Sequence, residues 1–313
     1  MTVSGGQARL AALAGFLDRF LLPLVLICAG LGVAFPAPGR RLDAGGAILV
    51  TLAVLVFCTG ASVTLADFQG MRAAARRMVL VLAATTIMLP VLAWLASRLV
   101  SQPALRGGVL AAGVAPAEVA SVALTGLAAG EVATAAGLLI ASTLLTVLLA
   151  GPILALLGAH ATTSQLGLLV TLALVVALPM VAGCAMRTVD PFGRRERSLV
   201  QILGVASLLV LLWEVASELR PHAGDGLVAV ALLAYLAGCT ALGWLLARGL
   251  PPPQRSAVIL PTAMRDFAVA AGIAASAFGI AAAAPLGIYG VMVLVFGAIA
   301  VQASRRGWRL GGE

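Results

Sequence analysis

The sequence predicts an all-α polytopic membrane protein with ten transmembrane helices. Of its 313 residues, 62% are apolar and only 10% are charged, whereas a soluble domain carries charge on about a quarter of its residues. The mean hydropathy is +1.10. A hydrocarbon core of about 30 Å takes roughly 20 apolar residues per helix, so ten spans use about 200 residues and leave about 110 for turns and tails. We therefore expect almost no mass outside the membrane.

Ten apolar runs follow one another along the chain, each long enough to cross a bilayer as a helix. They cover about 17–35, 45–66, 78–98, 107–129, 132–157, 165–186, 199–219, 227–248, 255–277 and 282–303. The first run lacks a small-residue cleavage site, so we expect it to stay in the membrane as a span. Short connections rich in proline, glycine and arginine, such as PAPGRR after the first run, separate the runs.

The arginines predict the orientation. All 20 basic residues are arginine, and the net charge is +8. Fourteen arginines lie at the termini or in the even-numbered connections, five lie in the odd-numbered connections, and Arg265 lies inside a run. Because basic loops stay on the cytoplasmic side, we expect both termini in the cytoplasm and the protein in the cell inner (plasma) membrane. The arginines form no basic stripe with interleaved aromatic residues, so nucleic acid is not an expected partner.

The fourth and ninth runs each carry a proline near the middle, Pro116 in GVAPAEVASVAL and Pro261 in VILPTAMRDFAV. Each run is the fourth span of a five-span half, residues 1–157 or 158–313, and an odd number of spans makes the two halves inverted repeats. A proline removes a backbone donor and clashes with the preceding turn, so we expect both helices to break. Broken spans at matching positions of inverted halves indicate a transporter's binding site. Two ordinary proline kinks are the alternative.

Charged residues lie beside both prolines inside the apolar runs, namely Glu118, Arg265 and Asp266. A charge at the bilayer centre costs at least about 2.5–3.5 kcal/mol, so we expect these groups to be paired or to line a wet cavity. One hypothesis is a Glu118–Arg265 ion pair that only pins the two broken helices together. The other is a binding site at the helix N-termini, where Arg265 engages Glu118 or Asp266 when empty and contributes to anion binding. Glu214, late in the seventh run, is interpreted as reaching water at the span's end.

The sequence contains no enzyme constellation. The two histidines, His160 and His222, lie near predicted loops, and neither an HExxH helix, a GxSxG turn nor a phosphate-binding loop occurs. The four cysteines fall inside apolar runs without CxxC spacing, which predicts free thiols. We therefore expect no enzymatic activity and no bound cofactor.

Several segments, in chain order, resemble the bile acid:sodium symporter family. They are LDRFLLPLVLICAGLGVAFPAPGR in the first run, GASVTLADFQGMRAAARR before the third, APAEVASVALTGLAAGEVATA in the fourth and PTAMRDFAVAAGIAASAFG in the ninth. The resemblance implies two inverted five-helix repeats whose broken fourth and ninth helices cross. It implies a panel domain of spans 1, 2, 6 and 7 and a core domain of spans 3–5 and 8–10. Members carry organic anions by rocking the core against the panel, with two sodium ions bound near the crossing.

The chain departs from this family at the positions that the resemblance assigns to sodium. In the fourth span Ser121 matches a family serine, but the next position, an asparagine in the family, is Val122. Two hydroxyl positions further on are Ala135 and Leu139, and a third-span glutamine is Thr85.

In the ninth span the family's Glu-x-x-x-Gln-Asn pattern reads Pro261, Arg265 and Asp266, with Thr262 after the proline. A fixed guanidinium beside the expected cation predicts that the two-sodium arrangement is absent or heavily modified, so no residue is assigned as a metal ligand. A guanidinium does not deprotonate, so proton coupling, the alternative, would run through Glu118 or Asp266. The candidate residues for binding substrate or ion are Thr85, Glu118, Ser121, Thr262, Arg265 and Asp266.

Two functions from different classes are compatible with this sequence. The first is a secondary active transporter of a small organic anion that works by alternating access, with weakened or absent sodium coupling because Arg265 is a tethered cation. The second is a degenerate, non-transporting membrane sensor or scaffold of the same fold. A transporter keeps a wet cavity between its domains, whereas a scaffold can fill that space with side chains. The expected partners are the substrate and the lipid bilayer, with no obligate protein partner.

Overall fold

The computed structural model describes residues 5–43, 46–62, 65–159, 163–189, 193–218 and 225–305. These residues form helices and connections, with one isolated antiparallel bridge between Ala117 and Arg265 and no strand. His160 and His222 lie outside the described residues, as does part of the seventh predicted connection around Arg220.

The described residues of the first half form eight helices. They are α1 (Gly5–Arg19), α2 (Leu21–Ala34), α3 (Pro36–Asp43), α4 (Ala47–Ser62), α5 (Leu65–Ser97), α6 (Pro103–Val114), α7 (Val119–Leu127) and α8 (Val132–Leu156). The connection PAPGRR, predicted as a turn, is instead the start of α3, which is bent by 91° from α2. A proline at the first helical position has its φ already fixed for a helix, so Pro36 begins a new helix in a new direction.

In the second half, the residues that the structure describes form seven α-helices and two short irregular turns. They are α9 (Gln165–Leu172), a π-helical turn (Ala173–Ala177), α10 (Leu178–Val189), α11 (Arg194–Ser217), α12 (Asp225–Leu246), α13 (Pro252–Ala263), α14 (Phe267–Phe278), a 3₁₀ turn (Ile280–Ala283) and α15 (Ala284–Arg305). The sixth predicted run is therefore one helical rod with a π-turn just ahead of Pro179, where the Leu178 N–H bonds to the Ala173 carbonyl.

By length and composition, six helical segments of the described residues can each cross a membrane, and a seventh is the bent pair α2 and α3. Two further apolar helices, α4 and α14, are shorter. The prediction of an α-helical, multi-pass membrane protein is confirmed by the length and composition of these helices. The number of ten spans stays a prediction, because the fourth and ninth runs are each divided between two helices too short to cross alone.

The helices pack in two groups. In one group α4 packs on α10 and α11, and α11 also packs on α2. In the other, α5 packs on α6 and α8, α12 packs on α13, and α14 packs on α6. The short helices α6, α13 and α14 are buried over most of their length, whereas large apolar side chains such as Leu156 and Leu166 are exposed on the outer surface. An apolar outer surface around buried short helices is the arrangement expected in lipid.

Candidate functional site

The breaks in the fourth and ninth runs meet in the interior and pair as two short extended segments. Residues 115–118 separate α6 from α7, and residues 264–266 separate α13 from α14. The Glu118 N–H donates to the Met264 carbonyl and the Asp266 N–H donates to the Pro116 carbonyl, both at 2.9 Å. This antiparallel pairing satisfies backbone groups that each broken helix leaves open, which is required where no water reaches them.

The two prolines occupy different places relative to the breaks. Pro116 lies within the first break, but Pro261 lies inside the last turn of α13, three residues before the second break begins. The expected position of the second break is therefore corrected to residues 264–266. The helix continues past Pro261 because a proline removes only one donor, and the Met264 N–H still bonds to the Leu260 carbonyl at 2.9 Å.

Two hydroxyl groups of α8 form hydrogen bonds with backbone groups at the first break. Ser142 Oγ accepts a hydrogen bond from the Ala117 N–H at 3.0 Å, and Thr146 Oγ1 donates to the Val114 carbonyl at 2.9 Å. Both residues were absent from the candidates predicted from the sequence. Their spacing of four residues places them on one face of α8, and that spacing within an otherwise apolar run is the signal that could have revealed them.

Arg265 binds backbone carbonyls rather than carboxylates. Its Nε donates to the Ala115 carbonyl at 3.0 Å, its Nη1 donates to the Pro261 carbonyl at 3.3 Å, and its Nη2 also donates to the Ala115 carbonyl. These carbonyls lie at the C-terminal ends of α6 and α13, where the helix dipole places partial negative charge. The guanidinium is buried, with 6% of the residue exposed, and it neutralises both ends.

The ion pair expected from the sequence is absent: no Arg265 nitrogen lies within 4.0 Å of a carboxylate oxygen of Glu118 or Asp266. A direct salt bridge is therefore not formed in this conformation, and the roles of these three residues stay predictions. The physical reason is that the ends of each broken helix carry partial charges on their unpaired backbone groups. Carbonyl ends attract the guanidinium, and N–H ends attract the carboxylates.

The two acids each lie at the N-terminus of a half-helix but differ in their contacts. Asp266 precedes α14, and its Oδ1 accepts a hydrogen bond from the Val269 N–H at 2.9 Å, as an N-cap does. Glu118 precedes α7 without capping it, and its Oε2 has no hydrogen-bond partner. Glu118 and Asp266 are 3% and 4% exposed.

Glu118 lines a cavity of about 450 Å³ between the two helix groups. On one side lies the start of α7, and on the other lie α2, α4, α10 and α11. Arg187 lines it from the last turn of α10 and Arg197 from the start of α11, and Leu21, Leu55 and Leu208 contribute apolar walls. Ligand pockets of roughly 300–1,000 Å³ with apolar walls and a few polar groups are typical of small-molecule sites.

A second, much smaller cavity of about 20 Å³ adjoins Arg265. The hydroxyl-bearing residues Thr85, Thr86, Ser142 and Thr146 line it. Thr85 is thus brought close to Arg265, although its Oγ1 donates to the Leu82 carbonyl of its own helix at 3.1 Å. The volume suits about one water molecule.

The remaining candidates lie in the buried interior of the same helix group. Ser121 is fully buried and its Oγ donates to the Glu118 carbonyl at 2.6 Å. Thr262 is 1% exposed, and its Oγ1 has no hydrogen-bond partner. Ala135 and Leu139 are buried and present no side-chain oxygen. Within the described residues no group of three or more His, Cys, Asp or Glu side chains could hold a metal ion.

Glu214 lies apart from the crossing and does not reach the helix end. It is 1% exposed in α11, and its Oε1 accepts a hydrogen bond from Thr51 Oγ1 of α4 at 3.4 Å. Its expected role in reaching water is therefore corrected to a buried contact between α4 and α11. The four cysteines are free thiols, as expected, and Cys58 lines the large cavity.

Broken helices that meet beside a cavity between two helix groups are typical of membrane transporters built from discontinuous spans. The model of the Sodium Bile acid symporter family matches residues 49–221, more than half of the chain. The protein belongs to this family, whose members are transporters rather than enzymes, and the resemblance noted in the sequence is confirmed. The match includes the first break but ends before the second. No curated protein matches the chain.

Proposed function

We propose that this protein is a secondary active transporter that carries a small organic anion by alternating access. The family supports the class of transported molecule, and the cavity of about 450 Å³ between the two helix groups supports movement of a ligand between them. A sensor or scaffold of this fold has no need for such a space. The large cavity therefore favours the transporter over the non-transporting alternative.

In this proposal α2, α4 and α9–α11 form the panel, and α5–α8 with α12–α15 form the core. The ten runs are then ten spans in two inverted halves, residues 1–157 and 158–313, with α6–α7 and α13–α14 as the broken fourth and ninth spans. The separate packing of these two helix groups supports the division. Rocking of the core closes the cavity on one side of the membrane and opens it on the other.

The cavity in this conformation faces the side that carries most arginines. Arg187 and Arg197 lie next to connections predicted in the cytoplasm, so we propose that the structure is open inward and that both termini are cytoplasmic. On the far side α15 closes against α11: a Cβ added at Gly287 would lie 3.3 Å from backbone atoms of Ala216. This close approach of core and panel is consistent with a closed outer end.

The contacts of Arg265 carry the proposal that sodium coupling is weak or absent. Its guanidinium already binds the carbonyl ends of both broken helices, which are the groups that would attract a cation to the crossing. Val122, Ala135 and Leu139 add no oxygen ligands. The residues present therefore do not fit the two-sodium arrangement, and we propose that Arg265 replaces a mobile cation with a fixed one.

Uptake into proteoliposomes tests the proposal. Purified protein is reconstituted and assayed with a radiolabelled bile acid, a 2-oxo acid and an alkyl sulfonate, each in sodium and in choline buffer, with and without an inward proton gradient. We expect saturable uptake of at least one anion that is equal in sodium and choline. A steep, saturable sodium requirement would refute the coupling proposal, and empty-liposome rates for every anion would refute transport of these classes.

A further inference from the structure

Glu118 is the one carboxylate among the described residues that lines the large cavity. Only 3% of the residue is exposed, and its Oε2 has no hydrogen-bond partner. A carboxylate buried away from water is unfavourable unless it binds a proton or unless a positive group or a hydrogen-bond donor reaches it. Such a group in a membrane span marks a place where a ligand completes the contacts.

No described residue donates a hydrogen bond to Glu118 Oε2. The Arg265 guanidinium is directed to the Ala115 and Pro261 carbonyls. The two hydroxyls that line the cavity from α4 donate to their own helix, Thr59 to the Leu55 carbonyl at 3.0 Å and Ser62 to the Thr59 carbonyl at 2.6 Å. Their protons are thus already used, and the cavity itself is the direction from which a donor can approach Glu118.

Fixed positive charge lies elsewhere along the same cavity. Arg187 is in the last turn of α10 and Arg197 is near the start of α11. The cavity lining on α11 extends from Arg197 to Leu208, about 16 Å along the helix axis. A ligand in this space meets guanidinium groups at one end, a carboxylate at Glu118, and apolar side chains between them.

We infer that the transported anion also carries a positively charged or strongly hydrogen-bond-donating group, and that Glu118 binds this group while Arg187 and Arg197 face the anionic group. The substrate class is then an organic zwitterion with an apolar body, such as an ω-amino acid. This inference rests on the proposed function, because it assigns a ligand to the cavity through which the transporter would work. A plain organic anion leaves Glu118 Oε2 without a hydrogen-bond partner.

Matched pairs of ligands that differ only in an ammonium group test the inference by equilibrium binding. The probes are hexanoate with 6-aminohexanoate, and 4-methylcyclohexanecarboxylate with 4-(aminomethyl)cyclohexanecarboxylate, measured by thermal shift and calorimetry on purified full-length protein. A charge-assisted hydrogen bond in a buried site is one of the stronger kinds. We expect the amino member of each pair to bind at least about tenfold more tightly to the wild-type protein.

Three variants separate the role of Glu118 from a general effect of charge. Glu118→Gln is expected to remove the preference for the amino member, and Glu118→Asp is expected to keep it in weaker form. Glu131→Gln is the matched control, because Glu131 is the residue just before α8 and does not line the cavity; it should leave the preference unchanged. If Glu118→Gln does not fold, the comparison within the wild-type protein and Glu118→Asp still decides.

Several outcomes would overturn the inference. Equal binding of both members of each pair to the wild-type protein would overturn it alone and leave anion transport standing. Stabilisation by sodium chloride over choline chloride that disappears in Glu118→Gln would show that Glu118 binds an inorganic cation instead. Binding by none of the four probes, together with no uptake of the three anions above, would contradict both the inference and the proposed function.

Discussion

Replacing Arg265 by glutamine removes the group that binds the carbonyl ends of both broken helices. Three guanidinium nitrogens donate to two buried carbonyls, those of Ala115 and Pro261. Hydrogen bonds to charged groups contribute about 1.5–3 kcal/mol each, and a buried acceptor left alone costs about 1–3 kcal/mol. A glutamine amide is shorter and can satisfy at most one of the two carbonyls. We therefore expect Arg265→Gln to lose about 2–4 kcal/mol of stability.

The same substitution tests whether the guanidinium stands in for a cation. Once it is removed, the carbonyl ends of α6 and α13 again present partial negative charge without a partner. Sodium should then bind there, so Arg265→Gln should be stabilised by sodium chloride relative to choline chloride at equal ionic strength. The wild-type protein should show no difference between the two salts.

Unfolding in detergent, followed by tryptophan fluorescence and by thermal denaturation, measures both effects. Arg255→Gln is the matched control: Arg255 Nε also donates to a backbone carbonyl, that of Leu250 at 2.7 Å, but at the start of α13, away from the crossing. We expect it to lose less than about 1 kcal/mol. Two results would refute the reasoning that the fixed charge occupies a cation's place. One is an Arg265→Gln variant whose free energy of unfolding equals that of the wild-type protein, and the other is an Arg265→Gln variant whose stability does not respond to sodium.

Two further predictions concern the first break and the closed side of the cavity. Ser142→Ala leaves the buried Ala117 N–H without its acceptor and should lower the free energy of unfolding by about 1–3 kcal/mol. The control Thr143→Val loses only a bond to its own helix, so it should lower the free energy of unfolding clearly less. Equal losses for the two variants in chemical denaturation would contradict this prediction. Gly287→Val places a side chain against backbone atoms of Ala216, which cannot move aside as a side chain can, so closure of core on panel should be impaired. Uptake should fall at least tenfold with ligand binding unchanged, and normal uptake would show that this contact is not part of the transport cycle.

The prolines show how much of the candidate site could be predicted from sequence patterns. The sequence located both breaks to within a few residues because a proline in an apolar run is a visible interruption. Proline alone, however, does not decide where a helix breaks, since Pro90 and Pro152 lie inside α5 and α8, which continue past them. Pro116 lies in a break that is held by pairing with residues 264–266 and by the Ser142 hydroxyl.

The charged residues were found from the sequence, but their partners were not. Glu118, Arg265 and Asp266 are conspicuous because charges are rare in apolar runs, and opposite side-chain charges suggested an ion pair. The structure assigns Arg265 to carbonyls and Asp266 to an N–H group. Sequence patterns record side chains and not the partial charges at helix ends, so they could not predict that the backbone would be the preferred partner.

Features that depend on local composition could be predicted from the sequence alone. Membrane insertion, the helical class, the order of the runs and the family follow from the length and apolarity of each run and from short motifs. The tertiary structure decided what depends on contacts between distant segments: the pairing of residue 117 with residue 265, the approach of α8 hydroxyls to the first break, and the cavity that Glu118 shares with Arg187 and Arg197. The physical reason is that a broken helix in a membrane must satisfy its backbone groups from whichever segment packs beside it, and only the packed fold specifies that neighbour.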